Sequence, residues 1–246
     1  MGFFADQEGI FRRYVHEGDN WSEHLENTKR AITEFIRKQQ VTSLSIFGSG
    51  WMLDIPVDIL SGETKMVVFY DIRHPQGILD KYGGNTKFRF IEADLTGGLI
   101  DKAYRICNQK QSISDKEITE ELIPEPFELP VRTDFYISLN ILNQLDILLI
   151  DYLRKKAKMS SETEGVLKKR IQRYHLNMMK KGYSCLITDT EELHIDDNER
   201  ILGTIPLIYT NLPAYSEHHQ WIWKFDTRRT YHHEYKTYMQ VKTLYF

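Results

Sequence analysis

The stretch Ser43–Arg73, SLSIFGSGWMLDIPVDILSGETKMVVFYDIR, constrains this chain more than any other. Ser43 to Phe47 is a short apolar-biased run. It breaks at Gly48-Ser49-Gly50, where missing Cβ atoms permit backbone angles and close approaches closed to other residues. Asp54 has the chemistry of a helix N-cap, and Pro56 suits a first helical turn, where its absent N–H has no partner to lose. Lys65 to Tyr70 (KMVVFY) is β-branched, aromatic and nearly continuous in apolar character, as a strand buried on both faces should be, and Asp71 follows it. The predicted order is strand, glycine turn, helix, strand, acid. A Gly-x-Gly turn followed about 20 residues later by a carboxylate at the end of the second strand is the physical signature of an adenosine site. The turn lets a ligand lie against the backbone at a helix N-terminus, and the carboxylate accepts hydrogen bonds from a ribose diol.

A chain of 246 residues accommodates one large domain or one domain with additions, and the pattern favours the latter: an N-terminal helical segment over 1–40, then a domain over 41–246. With 41% hydrophobic and 27% charged residues this is the composition of a globular protein. A formal charge of -3 gives no global drive towards nucleic acid or anionic membrane. The N-terminus shows no secretory signal, and Asp6 stands where a myristoylation signal wants Ser or Thr. The longest aliphatic run, Ile147 to Ile150, is far short of a membrane span. Cys107 and Cys185 are the two cysteines, the second in an apolar run that suits a buried reduced thiol, so a cytoplasmic location is expected.

Along the chain, residues 17–40 read as one amphipathic helix: Asn20 and Glu23 have capping-box spacing, and Trp21, Leu25, Thr28, Ile32 and Ile36 recur on one face. A third strand is expected over Lys87 to Ala93, ending on Asp94, and a crossover helix over Gly97 to Asn108. Residues 109–132 carry five Glu and three Pro with little periodicity beyond a turn of helix near Lys116 to Leu122. They read as an insertion, either a lid or interaction surface or a plain surface loop. Asp134 to Leu139 is the fourth strand, followed by Asn140, Asn143 and Gln144. Helices follow over Leu145–Lys158 and Ser161–Lys181, the second stopping at Gly182. Its Lys and Arg residues read as a solvated face, and His175 as a structural histidine. Tyr183 to Thr188 is the fifth strand, with Asp189, Glu191, Glu192 and His194 in an acidic loop beyond its end. Gln220–Asp226 and Tyr235–Phe246 alternate as a terminal antiparallel pair. The pairs His218-His219 and His232-His233 have no metal-ligand spacing, since adjacent strand residues face opposite ways, and no metal is expected. With the neighbouring aromatics they suit a substrate opening or a subunit contact, which leaves a homo-oligomer open.

The FGSGWM turn with Asp71 resembles the first motifs of the class I S-adenosylmethionine-dependent methyltransferases, and the order of strands over residues 40–246 resembles that family too. The resemblance implies an α/β fold: a doubly wound, seven-stranded, mostly parallel sheet with an antiparallel last strand, helices on both faces and an N-terminal helical appendage. It implies S-adenosyl-L-methionine as cofactor, held by Gly48, Ser49, Gly50, Asp71, Ile72, Asp94, Leu95 and Asn140. Asp94 lies where the family sets a side chain against the adenine amino group, and it equally suits a helix N-cap. Trp21 is placed as a lid over the cofactor or as packing on the sheet, and Asn143 and Gln144 sit near the substrate. His194 and then His175 are the candidates for a base. The family's DPPY or NPPY motif is absent after the fourth strand, which argues against DNA bases as targets. A small-molecule substrate is expected, with neither nucleic acid nor membrane as partner. Ile46 and Met52 replace an acid and a glycine common in the family, which keeps a catalytically inactive binding or scaffold protein as the alternative. Leu53, where a dinucleotide turn wants glycine or alanine, speaks against an oxidoreductase.

Overall fold

The structure, a computed structural model, describes residues 3–110, 112–126 and 128–246, without the side chains of residues 3–6, 217 and 218. The Met1-Gly2 start and the His218 side chain therefore lie outside the described residues. Five parallel strands form the centre: β1 (Ser43–Phe47), β2 (Met66–Asp71), β3 (Phe88–Glu92), β4 (Phe135–Leu139) and β5 (Ser184–Ile195). β8 (Lys236–Tyr245) runs antiparallel beside β5, and β7 (Glu217–Asp226) antiparallel beside β8. The spatial order is β3-β2-β1-β4-β5-β8-β7. These seven strands are the doubly wound sheet with a reversed last strand that the sequence implied. An eighth, β6 (Ile201–Pro206), pairs antiparallel with the far half of β5.

Alternation along the strands explains why both faces are covered. Leu44, Ile46, Val67 and Phe69 belong to one core, while Phe47, Val68 and Tyr70 belong to another. All seven are fully shielded from solvent, and each such side chain contributes roughly 1.5–3 kcal/mol relative to exposure. The first face is covered by α2 (Ser22–Gln39) through Ala31, Ile32, Phe35 and Ile36, and by α3 (Val57–Glu63) and α4 (Gln76–Tyr82) through Leu60 and Ile78. Against the second face lies α8 (Ser161–Met178), which presents Leu176 to the sheet and Leu167 and Ile171 to a satellite core. That satellite core also contains α5 (Leu99–Gln109), α6 (Asp115–Glu121) and α7 (Ile147–Ala157).

Several expectations need correction. The helix expected over 17–40 starts later, at Ser22: α1 (Phe3–Glu17) and a 3-10 turn, Gly18–Trp21, precede α2. Gly18 takes φ +54°, a left-handed angle suited to breaking the helix there. Asn20 makes no cap; its side-chain amide donates to Glu17 and Thr227. Asp54 is not an N-cap either, because α3 starts three residues later and Asp54 is turned inward to accept from Asn140 Nδ2 at 3.0 Å. The fifth strand does not stop at Thr188. It continues to Ile195, so Glu191, Glu192 and His194 lie on a strand and not in a loop. The insertion holds a short helix with a complete capping box, Ser114 with Glu117, and buries Ile118 and Leu122 against the satellite core.

Candidate active site

The reversal of strand order falls between β1 and β4, where open α/β sheets bind ligands beyond the carboxyl ends of the strands. A cleft of about 1180 Å³, mouth included, opens there. Its floor is the glycine turn. Gly48 has φ +84°, and a Cβ on it would stand 2.7 Å from the Leu139 carbonyl oxygen, so only glycine allows β1 and β4 to converge. Gly50 has φ +43° with nothing near its missing Cβ, which leaves bare backbone facing the cleft. Its N–H donates to Asp71 Oδ2 at 2.8 Å and so ties the turn to the end of β2.

Asp71 is buried and lines the cleft. Burial raises its pKa above the ordinary carboxylate value, while the Gly50 N–H and the neighbouring His74 pull the other way. Its second oxygen, Oδ1, accepts from Gln7 Nε2 at 3.2 Å, and the same amide donates to the Arg73 carbonyl at 2.9 Å. Trp51 Nε1 donates to the Gln7 carbonyl at 2.8 Å and fixes α1 across the mouth.

The remaining cofactor candidates converge on the same cleft: Ser49, Ile72, Asp94, Leu95 and Asn140 all line it. Asp94 Oδ1 accepts from the Thr96 N–H and hydroxyl in a tight turn, and α5 begins only at Leu99, so Asp94 is not that helix's N-cap. Asn140 takes φ +49°, and its buried Oδ1 has no partner in the protein.

The substrate candidates divide. Trp21 and Gln144 line the cleft, whereas Asn143 faces a second cavity beside it. Trp21 is 2% exposed and packs on the sheet: its Nε1 donates to the Phe225 carbonyl at 3.0 Å, and its ring packs edge-on to Trp223. His194 and His175 line neither cavity. His194 Nε2 meets Glu192 Oε1 at 2.9 Å, with its ring stacked on Tyr235. His175 is sealed beneath the sheet, where Nε2 meets Ser138 Oγ at 2.8 Å and burial lowers its pKa to about 4.

Three cleft residues escaped the sequence reading. Gln7 and Ile10 sit on a helix that the 3.6-residue pattern did not reveal. His24 stacks on Trp223 with centroids 3.9 Å apart, and its Nδ1 accepts from Trp221 Nε1 at 3.1 Å. Burial pushes the His24 pKa down to about 3, so the ring is neutral. The alternating QWIWKF segment was its only signal. Outside the cleft, Glu192, His194 and His232 bring one carboxylate oxygen and two ring nitrogens within 4.8 Å of one another, a donor set suited to a transition metal. Both imidazole Nε2 atoms already meet Glu192 Oε1, at 2.9 and 3.0 Å.

No family model matches the chain, and no curated protein matches it. Among solved structures, N-methyltransferase NodS from Bradyrhizobium japonicum, in complex with S-adenosyl-L-homocysteine, is 10% identical with a TM-score of 0.45, covering 97% of each chain. An S-adenosylmethionine-dependent methyltransferase from Clostridium acetobutylicum is 10% identical with a TM-score of 0.39, covering 96% of this chain and 82% of its own. A DhpI complex with S-adenosylhomocysteine is 9% identical with a TM-score of 0.37, covering 96% and 93%. The strand order, the antiparallel β8 between β5 and β7, and the glycine turn at the β1–β4 switch give this chain the doubly wound sheet with a reversed last strand that the sequence resemblance implied.

Proposed function

We propose that this protein is an S-adenosylmethionine-dependent methyltransferase acting on a small molecule in the cytoplasm. The observation that carries the reading is the convergence of the Gly48–Gly50 turn, Asp71, Asp94 and Asn140 on one cleft at the switch point. The residues fit the cofactor. Gly50 leaves room for close backbone approach, and Asp71 offers carboxylate oxygens where a ribose diol would follow the turn. Asn140 Oδ1 is a buried acceptor without a protein partner. Ile72 and Leu95 supply apolar walls for an adenine, with Asp94 at its edge.

When bound, the cofactor supplies an electrophilic methyl group on a sulfonium. What the chain supplies is orientation and exclusion of water. Trp21 and Trp223 with neutral His24 wall the cleft with rings, and holding the reactants in line accounts for much of the rate gain open to such a site. Gln7 occupies Asp71 Oδ1 with an amide N–H, the bond a ribose hydroxyl would make, and so acts as a placeholder there.

Calorimetric titration with S-adenosylhomocysteine tests the reading. Micromolar binding to the native protein, lost in Asp71→Ala, is the expected result. Absence of binding to the native protein would leave the glycine turn as architecture and favour the scaffold alternative.

A further inference from the structure

The second cavity, about 1200 Å³ with its open mouth included, adjoins the cleft: Ile10, Gln144 and Trp223 line both. Its chemistry is unlike that of the cleft. Two carboxylates, Asp146 and Asp189, line it while being only 3% and 2% exposed. Asp146 Oδ1, Asp189 Oδ1 and the Asn143 side-chain oxygen all lack a hydrogen-bond partner in the protein. Asp146 stands in the N-cap position of α7 yet makes no cap hydrogen bond, so its carboxylate is not consumed by the helix. Asp189 reaches the cavity through a β-bulge. The β5–β8 register shifts between Asp189 and Glu191, which lets Asp189 and Glu192, three residues apart, line the same cavity.

Of the cations lining the cavity, Lys168 and Arg154 are paired, while Arg13 keeps a buried Nε without a hydrogen-bond partner. Lys168 pairs with Glu164 at 2.8 Å, and Arg154 with the same carboxylate at 2.7 Å. The Arg13 guanidinium lies over the Phe225 and Tyr231 rings, at the end walled by aromatics. Glu192 Oε1 meets two imidazoles. Three acceptor atoms remain without donors, two of them carboxylate oxygens, although an Asn143 hydrogen bond reaches Asp189 and Gln172 and the Lys168 charge act on Asp146. An unfilled oxygen on a buried carboxylate is costly, and a ligand bringing both positive charge and several N–H donors relieves that cost.

Resting on the methyltransferase reading, we infer that this chamber binds the acceptor substrate as an alkylammonium, its nitrogen held by Asp189, Asp146 and Asn143 beside the cofactor cleft. A hydroxyl has one donor for three acceptors, whereas an ammonium has three. The chamber also supplies the proton acceptor such a substrate requires. An ammonium becomes nucleophilic only after losing a proton, which frees the nitrogen lone pair and turns one carboxylate into its neutral acid. Asp189 suits that exchange, since burial, with nearby Asp54 adding to it, pushes its pKa up to about 7.

The test is thermal-shift and calorimetric titration with matched sets: straight-chain amines from ethylamine to hexylamine, phenethylamine and glucosamine, against the corresponding alkanols, 2-phenylethanol and glucose. At least one amine should bind at least about tenfold more tightly than its hydroxyl counterpart. Asp189→Asn should abolish that preference and leave S-adenosylhomocysteine affinity unchanged. Asp146→Asn serves as the second variant and should weaken the same amine. Hydroxyl compounds binding as well as amines, amines binding both variants as they bind the native protein, or no amine binding would each overturn the inference. The cofactor titration separates it from the parent reading: cofactor binding without amine binding sinks the chamber alone, and amine binding without cofactor binding sinks the methyltransferase alone.

Discussion

The cofactor cleft and the adjoining chamber share three residues and differ in how the chain builds them. The floor of the cleft comes from Gly48, Ser49, Gly50 and Asp71, fixed by local strand, turn and strand geometry. The chamber takes Arg13 from α1, Asn143 and Asp146 from the loop after β4, Asp189 from β5 and Phe225 from β7. A site written in one stretch leaves little freedom to change its ligand, because its residues also carry the strand crossing. A site assembled from distant elements is free to vary in chemistry while the sheet stays the same.

The largest expected effect sharpens the first half of that contrast. Gly48→Ala forces a Cβ to 2.7 Å from a backbone oxygen at φ +84°, so destabilisation of roughly 2–5 kcal/mol is expected in urea denaturation. Gly50→Ala, with open space around it, should cost about 1–2 kcal/mol of stability for the left-handed angle. Comparable losses in the two variants would mean the turn is not pinned between β1 and β4. Next comes Asp71→Ala, which should weaken S-adenosylhomocysteine by about 10- to 150-fold, the value of hydrogen bonds to a charged acceptor. Unchanged affinity would place the ribose elsewhere.

Stability against pH probes the chamber. Burial raises Asp54 and Asp146 to about 6 and Asp189 to about 7, above their unfolded values, so the folded state holds protons the unfolded chain has lost. Their contribution is full below about pH 4 and falls as pH rises to about 7. His24 and His175, lowered to about 3 and 4, act oppositely: their contribution is full above about pH 6.5 and is lost on acidification below it. Around pH 7 Asp189 pulls stability down as pH rises while the histidines push it up, so Asp189→Asn should make the slope of stability against pH more positive there in urea denaturation; an unchanged slope would assign the protons to other groups.

Two smaller effects remain. Gln7→Ala should tighten S-adenosylhomocysteine by about 2- to 10-fold, because the cofactor no longer displaces an amide from Asp71; weaker binding would make Gln7 a lid contact instead. His194→Asn should leave cofactor affinity and any methyl transfer unchanged, since His194 faces Glu192 and lines neither cavity. A loss of turnover measured with an identified substrate would restore it as a base.

Much of the fold was legible because its signals are local. The continuous apolar runs of β1 and β2, the glycines between them and the alternation of β7 and β8 each sit in a few consecutive residues. A helical segment was expected over 1–40, but the bounds of α1 were illegible because its inward positions include polar Gln7 and Arg13, which with Ile10 serve the mouth of the cleft and the chamber and do not form a plain core stripe. β5 was cut short at Thr188 because charged Asp189, Glu191 and Glu192 resemble a loop. The bulge and the pairing with β6 and β8 bury two of them on a strand nonetheless. His24 was silent because its role depends on Trp221 and Trp223, nearly 200 positions away.

The bond from Trp21 Nε1 to the Phe225 carbonyl joins residues 204 positions apart. Its strand, β7, is held in the sheet only through β8, which is made later. During synthesis the glycine turn can form early, but the wall of rings over it cannot stand until residues 236–245 have emerged and slotted between β5 and β7. Long-range pairing of this kind is slow. The nascent chain is thus expected to carry an unroofed turn, and to lack the ring wall over it, until residues 236–245 are available to pair.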